Sequence, residues 1–290
     1  MTILAESGAT KTDWRSIASD GTVYSMRSTG MNVATADIAF VEKTLREAIP
    51  KLNPSGETVE RIHFYAAGMI PTPGNPVPEG AVRLHGEFMK AFPEAKVAYA
   101  SDLLAAARAL FGRKPGIAVI LGTGSNSCEY DGKQIVKNVR SGGFILGDEG
   151  GGASLGRQFV SDFLKGIVPE PVASEFAAKY DMEYFHVVKN VYRGPSPASY
   201  LGSFAPFIME HYDSCLYVKC LVDNNFRALF ERCLLQYDIE GKPVGVVGGF
   251  GFAHKEILLR VAQEYGVGIS DIVSSPIEGL VKYYIEENEN

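Results

Sequence analysis

One local pattern occurs twice in this chain, and the repetition limits the fold more than any other feature. The apolar segment TILAE runs into a loop rich in small residues and then into two strand-like segments that flank Asp20-Gly21. The segment GIAVIL runs in the same way into a Gly/Thr loop and into strand-like segments that flank Asp131-Gly132. Asp-Gly is typical of tight β-hairpin turns, and these two pairs lie 111 residues apart. The repetition predicts two similar α/β domains with a cleft between them.

Strand and helix signals complete each copy in the order β-β-β-α-β-α-β. Apolar residues at helical spacing follow the first hairpin, and Pro50 should end that helix. The predicted strands are 2–6, 13–19, 22–29, 61–67, 96–100, 116–125, 127–130, 134–139, 243–249 and 271–274. The predicted helices are 38–49, 84–92, 101–112, 153–165, 172–180, 199–213, 216–236, 257–265 and 276–287.

Composition restricts the partners. A chain of 290 residues is long for a single core and favours two domains. The net charge of −6, without a Lys/Arg cluster, argues against nucleic acid and anionic membranes as partners. No apolar run reaches membrane-spanning length and no signal peptide is visible, so we expect a cytoplasmic protein. The four cysteines lack zinc or C-x-x-C spacing and are expected to be reduced thiols.

The two small-residue loops are candidate phosphate sites. Their first glycines, Gly8 and Gly122, lie 114 residues apart, and glycine lets backbone N–H groups approach an anion closely. Hydroxyl donors and a positive charge accompany them in Thr10, Lys11, Thr123 and Ser125. Glu6 would repel phosphate, which predicts a magnesium ion between the two. No Walker A motif is present.

Five motifs carry a resemblance to a known family. LAESGATKTDW, ASDLLAAARA, VILGTGSNS, GGFILGDEGGG and VVGGFGFAHKEIL occur in the order seen in the sugar kinase/actin/chaperone ATPase superfamily. Within it, the chain resembles the N-acetylglucosamine kinase and BadF/BadG ATPase-like branch. The resemblance implies two actin-like (ribonuclease H-like) domains that bind Mg-ATP between them. We expect domains at 1–113 and 114–275, with the helix in 276–290 packing back on the first.

The resemblance also implies roles for single residues. Asp102 lies where the family has its catalytic carboxylate, and Glu6 lies on the magnesium side. The implied nucleotide contacts are Gly8, Thr10, Lys11, Gly122, Thr123, Gly248 and Gly249. The implied sugar contacts are Asn32, Asn126, Gly143 and Asp148. A carboxylate that accepts the proton of an attacking sugar hydroxyl is the expected chemistry for Asp102.

Two of these residues have plainer explanations. Ser101-Asp102 is also a favourable helix start, since Asp suits the positive end of the helix dipole. The pair Asp148-Glu149 would also be tolerated as a solvated, charged helix entry. The motifs depart from the family too: the first loop reads E-S-G-A-T where D/E-G-G-G-T is common, and Phe144 stands where Trp is frequent.

The sequence therefore predicts an ATP-dependent phosphotransferase with an alcohol acceptor, a kinase of N-acetylglucosamine or of a relative such as N-acetylmuramic acid. One alternative is an ATPase switch that acts on a protein partner, although the iron–sulfur cysteines of such activators have no counterpart here. Another is a sugar sensor with weak catalysis. The oligomeric state stays open, with a homodimer as one alternative.

Overall fold

A computed structural model describes residues 1–8, 11–31, 38–69 and 74–289. The chain divides into two compact units. Unit 1 comprises Met1–Lys114, Asp131–Gln134 and Ser275–Asn290, and unit 2 comprises Pro115–Tyr130 and Ile135–Ser274. Within the described ranges, no helix is both long enough and apolar enough to cross a bilayer.

Each unit contains five strands together with helices. The strands are β1 Thr2–Ser7, β2 Lys11–Ile17, β3 Val23–Thr29, β4 Arg61–Ala66, β5 Lys96–Ala100, β6 Gly116–Leu121, β7 Ser125–Tyr130, β8 Ile135–Lys137, β9 Val244–Val247 and β10 Ile269–Val273. The helices are α1 Ile38–Leu52, α2 Val82–Ala91, α3 Asp102–Phe111, α4 Gly143–Leu146, α5 Gly152–Leu164, α6 Val172–Lys179, α7 Tyr184–Arg193, α8 Pro197–Gly202, α9 Ala205–Glu210, α10 Leu216–Arg232, α11 Gly249–Ala253, α12 Lys255–Glu264 and α13 Ile277–Glu289. Short 3₁₀ helices lie at Glu79–Ala81 and Leu234–Gln236.

The two sheets have the same topology. The order is β3-β2-β1-β4-β5 in unit 1 and β8-β7-β6-β9-β10 in unit 2. In both, the first three strands pair antiparallel, the fourth pairs in parallel with the central strand, and the fifth pairs in parallel with the fourth. This duplication confirms the predicted α/β fold class.

Both faces of the first sheet are covered. Ile3 and Ala5 of β1 belong to a core cluster that includes residues of α1 and α2. Leu4, which points to the opposite face, packs in a cluster with Ala105 of α3 and Leu280 of α13. Side chains of β1 alternate between the two faces of the sheet, and one of these faces is covered by α13, so α13 belongs to unit 1.

The helices differ from the prediction at several points, of which three concern longer segments. Pro50 does not end α1, which continues to Leu52; the Leu52 side chain is buried and its carbonyl accepts a hydrogen bond from Ser16 Oγ. The predicted helix 199–213 is two helices, because α9 begins anew with a proline in its first turn. Helix α7 was not predicted, although its apolar residues are strongly segregated to one side of the helix; Val187 is its only fully buried residue.

Helices α13 and α3 approach each other at Gly279. A Cβ atom at this position would lie 2.4 Å from the carbonyl oxygen of Ala109. Gly86, on the exposed side of α2, has no atom within 4 Å of the equivalent point. The same Gly→Ala substitution therefore meets backbone at one helix position and open space at the other.

We predict that Gly279→Ala destabilises unit 1 by about 1–3 kcal/mol through overpacking. Gly86→Ala should stabilise it by about 0.5–1 kcal/mol, because alanine loses less backbone entropy in a helix. Urea unfolding followed by fluorescence measures both effects, since the single tryptophan, Trp14, is buried in unit 1. Equal effects of the two substitutions would contradict the close helix contact.

Candidate active site

Acidic residues of unit 1 gather where β1, β4 and β5 end. Glu6 lies opposite Asp13 of β2 and beside Tyr65 of β4. Asp102 begins α3, directly after β5. Because parallel strands end at the same edge of the sheet, Glu6 and Asp102 share one electrostatic environment.

The pKa of Glu6 is raised from 4.5 to about 7. Burial is the largest cause, followed by the negative charges of Asp102 and Asp13, while Lys11 opposes the shift. A fraction of the Glu6 carboxyl groups is therefore protonated at neutral pH unless a cation joins them.

Asp13 forms ion pairs with the two cationic side chains near this edge, Lys11 and Arg27. The fully buried Asp13 carboxylate accepts from Lys11 Nζ at 2.9 Å and from Arg27 Nε at 2.7 Å. Burial alone would raise the pKa of Asp13, but these two charged hydrogen bonds outweigh it and lower the pKa. Lys11, predicted as a phosphate contact, is thus paired with a carboxylate two residues along the same strand.

Asp102 is a partly exposed carboxylate at a well-formed helix start. Ser101 Oγ caps α3 by accepting from the N–H of Leu104 at 3.2 Å. Asp102 Oδ1 accepts from the N–H of Leu103 at 2.9 Å. Burial raises the pKa of Asp102, and the backbone hydrogen bond opposes it. No Lys, Arg or His in the described ranges forms an ion pair with this group.

Ser7 is a structural residue that the sequence reasoning treated only as a departure from glycine. Its buried hydroxyl contacts Thr12 Oγ1 at 2.8 Å, donates to the Met31 carbonyl and accepts from the Met31 N–H. It thereby ties the residue before the predicted sugar contact Asn32 to the end of β1. Asn32 and the predicted phosphate contact Thr10 lie outside the described residues.

A backbone hydrogen bond joins the two described ends of the first loop. The Gly8 N–H donates to the carbonyl of Lys11 at 2.9 Å, and this oxygen, at 3.7 Å, is the only atom within 4 Å of where a Gly8 Cβ would lie. Only atoms of the described residues are considered in this distance.

The second loop, in unit 2, is fastened to the start of α5. The N–H groups of Gly152 and Ala153 donate to the carbonyls of Gly122 and Thr123 at 2.9 and 2.8 Å. Within the loop, the Gly122 N–H donates to the Gly124 carbonyl at 2.9 Å. The loop therefore has a defined shape without any ligand.

Asp148 joins that loop through its side chain. Its Oδ1 accepts from the N–H of Ser125 at 3.3 Å, and its backbone has φ of 54°, which is uncommon for a residue with a side chain. Burial is the main cause that raises the pKa of Asp148, with a smaller contribution from Glu149. A strained backbone that presents a buried carboxylate is typical of functional positions.

Glu149, next along the chain, has a different environment. Its Oε1 lies 2.6 Å from Arg232 Nε, and its Oε2 accepts from the Cys233 thiol. The two carboxylates of the GDEG motif therefore have different partners: Asp148 contacts the second loop, and Glu149 contacts Arg232 and Cys233 at the end of α10.

Glycines of unit 2 fall into two groups. At Gly248, φ is 137° and a Cβ would lie 2.4 Å from the Leu121 carbonyl oxygen, so the fold itself requires glycine. At Gly122 and Gly249, no described atom lies within 4 Å of a Cβ. Packing does not require glycine at those two positions, which fits a surface that a nucleotide approaches closely. Gly143 begins α4 with φ of 70°.

The few carboxylates at the Glu6 edge of unit 1 suit a magnesium ion that also binds phosphate and water, rather than a metal held by protein ligands alone. No group of three or more His, Cys, Asp or Glu side chains in the described ranges has metal-binding geometry. Magnesium usually takes one or two carboxylates and completes its shell with phosphate and water. Glu6, whose pKa is raised by burial and by the negative charges of Asp102 and Asp13, is a fitting carboxylate.

Comparisons with known proteins cover the whole chain. A candidate N-acetylglucosamine kinase from Porphyromonas gingivalis is 36% identical, with a TM-score of 0.88 over 99% of this chain and 100% of that one. A second candidate N-acetylglucosamine kinase, from Chromobacterium violaceum, is 20% identical, with a TM-score of 0.75 over 97% and 98%. A ROK family glucokinase from Streptomyces griseus, in complex with glucose and AMPPNP, is 15% identical, with a TM-score of 0.57 over 100% and 99%. The last two likenesses show the fold alone. No protein-family model and no curated protein matches the sequence.

We predict that Glu6 makes the stability of unit 1 depend on pH. Between pH 4.5 and about 7 the folded state keeps the Glu6 proton that the unfolded state releases. The folded state then binds more protons, so stability falls as pH rises through this window, by on the order of 2–3 kcal/mol. Glu6→Gln should match the wild type at the acidic end and exceed it above pH 7.

The measurement is urea unfolding of both proteins by Trp14 fluorescence across that range. Glu47→Gln, at an exposed position of α1, is the matched control and should leave the pH profile unchanged. Parallel profiles of wild type and Glu6→Gln would show that Glu6 has an ordinary pKa.

Proposed function

The chain belongs to the N-acetylglucosamine kinase branch of the sugar kinase/actin/chaperone ATPase superfamily, and from this membership we propose that it is an ATP-dependent kinase of an amino sugar. The proposed acceptor is N-acetylglucosamine or a relative such as N-acetylmuramic acid. Asp102 is the observation that carries the proposal, since it is a partly exposed carboxylate at a helix start that pairs with no described cation. The 36% identity to the Porphyromonas protein over both full lengths supports it.

Asp102 acts as the general base in this proposal. The sugar hydroxyl oxygen attacks the γ-phosphorus of ATP, the bond from that phosphorus to the β–γ bridging oxygen breaks, and ADP leaves. The hydroxyl proton passes to the Asp102 carboxylate. The raised pKa of Asp102 makes the carboxylate a stronger base than an exposed aspartate, and the Leu103 N–H holds one oxygen in place.

Glu6 is the proposed carboxylate for magnesium. Magnesium bound with ATP supplies positive charge that offsets the charge of the phosphates. The negative charges around Glu6 favour a cation there, and Lys11, already fixed by Asp13, adds positive charge at the edge of the first loop.

The remaining contacts are proposed from the loops. Gly8 and Gly122, whose own N–H groups donate within the chain, would let the phosphates approach closely, and Thr123 would donate to them. Gly248 and Gly249 would adjoin the adenosine. Asn126, Gly143 and Asp148 would contact the sugar, in each case as hydrogen-bonding groups that a polyol satisfies. Thr10 and Asn32 keep their predicted roles as phosphate and sugar contacts.

The test of this function is a panel of sugars and amino sugars with Mg-ATP, followed by ADP release and by detection of phosphosugar. We expect ATP consumption to require an amino sugar and to yield one phosphosugar per ADP. Sugar-independent hydrolysis without phosphosugar would instead identify an ATPase switch. Sugar binding by calorimetry without any turnover would identify a sensor.

We predict that Asp102→Asn lowers kcat by about 10²- to 10⁴-fold while sugar and ATP affinities stay near the wild-type values. Asparagine keeps an oxygen that accepts from the Leu103 N–H, so the helix start is preserved. Steady-state kinetics with the active sugar, combined with calorimetric binding, measures the effect.

Ser101→Ala is the matched control for the helix-start explanation. It removes the cap on the Leu104 N–H and should cost about 1 kcal/mol of stability with little change in kcat. If Asp102→Asn kept near-normal turnover, Asp102 would have only its role at the start of α3.

A further inference from the structure

Asn126 has a side-chain amide whose orientation is set by its neighbours. Its Oδ1 accepts from the backbone N–H of Ser127 at 2.9 Å and from Asn138 Nδ2 at 3.0 Å. Asn126 lies on β7, next to Ser125, whose N–H contacts Asp148.

The identity of the atoms in this contact follows from their partners. Asn138 Nδ2 also lies 2.7 Å from the carbonyl oxygen of Ser127 and 3.2 Å from that of Val139. Carbonyl oxygens only accept, so the Asn138 atom that faces them must be the amide nitrogen. The Asn126 atom opposite this nitrogen, which also meets the Ser127 N–H, must then be the oxygen.

Tyr237 fixes two backbone groups beside Asn138. The Tyr237 hydroxyl donates to the Ser127 carbonyl and accepts from the Val139 N–H, both at 2.8 Å. The buried Tyr237 hydroxyl thus joins Val139, which follows Asn138 in the chain, to Ser127, whose carbonyl Asn138 contacts. Rotation of the Asn138 amide would leave the Ser127 and Val139 carbonyls facing an oxygen.

The consequence is a defined donor pattern. The acceptor of Asn126 is used within the chain, whereas its Nδ2 donates to no group in the described residues. Asn126 therefore offers N–H donors to a ligand. Asp148, which accepts from the N–H of the preceding residue Ser125, offers carboxylate acceptors.

We propose that Asn138 is a positioning residue that locks Asn126 as a hydrogen-bond donor, so that Asn126 selects sugars with an acceptor oxygen at that point, such as an N-acyl carbonyl or a hydroxyl oxygen. The inference rests on the proposed sugar kinase function. Asn138 acts only through Asn126 and does not touch the substrate.

The first test is a double-mutant cycle with the sugar found active in the panel. Asn126→Ala should raise the sugar KM roughly 10- to 100-fold, and Asn138→Ala roughly 3- to 10-fold, with the ATP KM unchanged. The double variant should match Asn126→Ala alone, because Asn138 has nothing left to orient. Asn190→Ala, on the exposed part of α7, is the control and should leave both KM values unchanged.

Two kinetic outcomes would overturn the proposal. Multiplicative losses in the double variant would show that Asn138 acts independently of Asn126, as a merely structural residue would. A rise in the ATP KM without a rise in the sugar KM would assign the Asn126 donors to the nucleotide.

The second test does not depend on turnover. Proton exchange of side-chain amides by ¹⁵N NMR should show slow exchange at Asn138 and fast exchange at Asn126, and Asn138→Ala should shift the Asn126 signal. Equally slow exchange at both amides would place the Asn126 donors inside the chain and overturn the inference. Should the panel yield no phosphosugar, the kinase proposal fails while this measurement still decides the orientation of Asn126.

Discussion

Parallel strand pairing determines where the candidate residues lie in each unit. In unit 1, the register aligns Glu6 with Tyr65 and Tyr65 with Ala100, so Asp102 follows at the edge where Glu6 ends its strand. In unit 2, β6 and β9 pair in parallel, and Gly248 lies against the carbonyl of Leu121 for the same reason. Carboxyl ends of parallel strands collect loops at one edge, and both sheets place their small-residue loops there.

The edge of the first sheet has more negative than positive charge. Asp13 is compensated by Lys11 and Arg27, which leaves Glu6 and Asp102 with a shared excess. Burial raises the pKa of both carboxyl groups, and at Glu6 the negative charges of Asp102 and Asp13 raise it further. A site that binds a divalent cation and accepts a proton needs carboxylates in this condition, whereas a purely structural site would pair them.

The candidate site residues of unit 2 are of two kinds. Some are fixed by contacts within the chain, and others have space or hydrogen-bond donors that no described residue uses. Gly248 is fixed by backbone contact, and Glu149 is fixed by Arg232. Gly122, on the other hand, is glycine without a packing reason, and the Asn126 amide keeps its donors unused in the described structure. The loop carbonyls accept hydrogen bonds from N–H groups of α5, and Asp148 accepts from the N–H of Ser125, so several contacts define the shape of the loop.

The sequence by itself determined the duplicated order of strands, the two Asp-Gly turns and the loops that end β1 and β6, because these depend on local turn chemistry and on apolar periodicity. It also led to Asp102 and Glu6, through motif order. It did not reveal that Pro50 lies inside α1, since burial of Leu52 outweighs the local preference. The apolar residues of α7 do lie on one side of a helix, so the sequence contains a signal for α7 that the prediction missed. The partners of Lys11, the role of Ser7, the separation of Asp148 from Glu149 and the lock of Asn138 on Asn126 were decided only by the tertiary structure. Lys11 and Asp13 are neighbours on one face of β2, but the other contacts join residues of different elements, and spacing along the chain carries no signal for those.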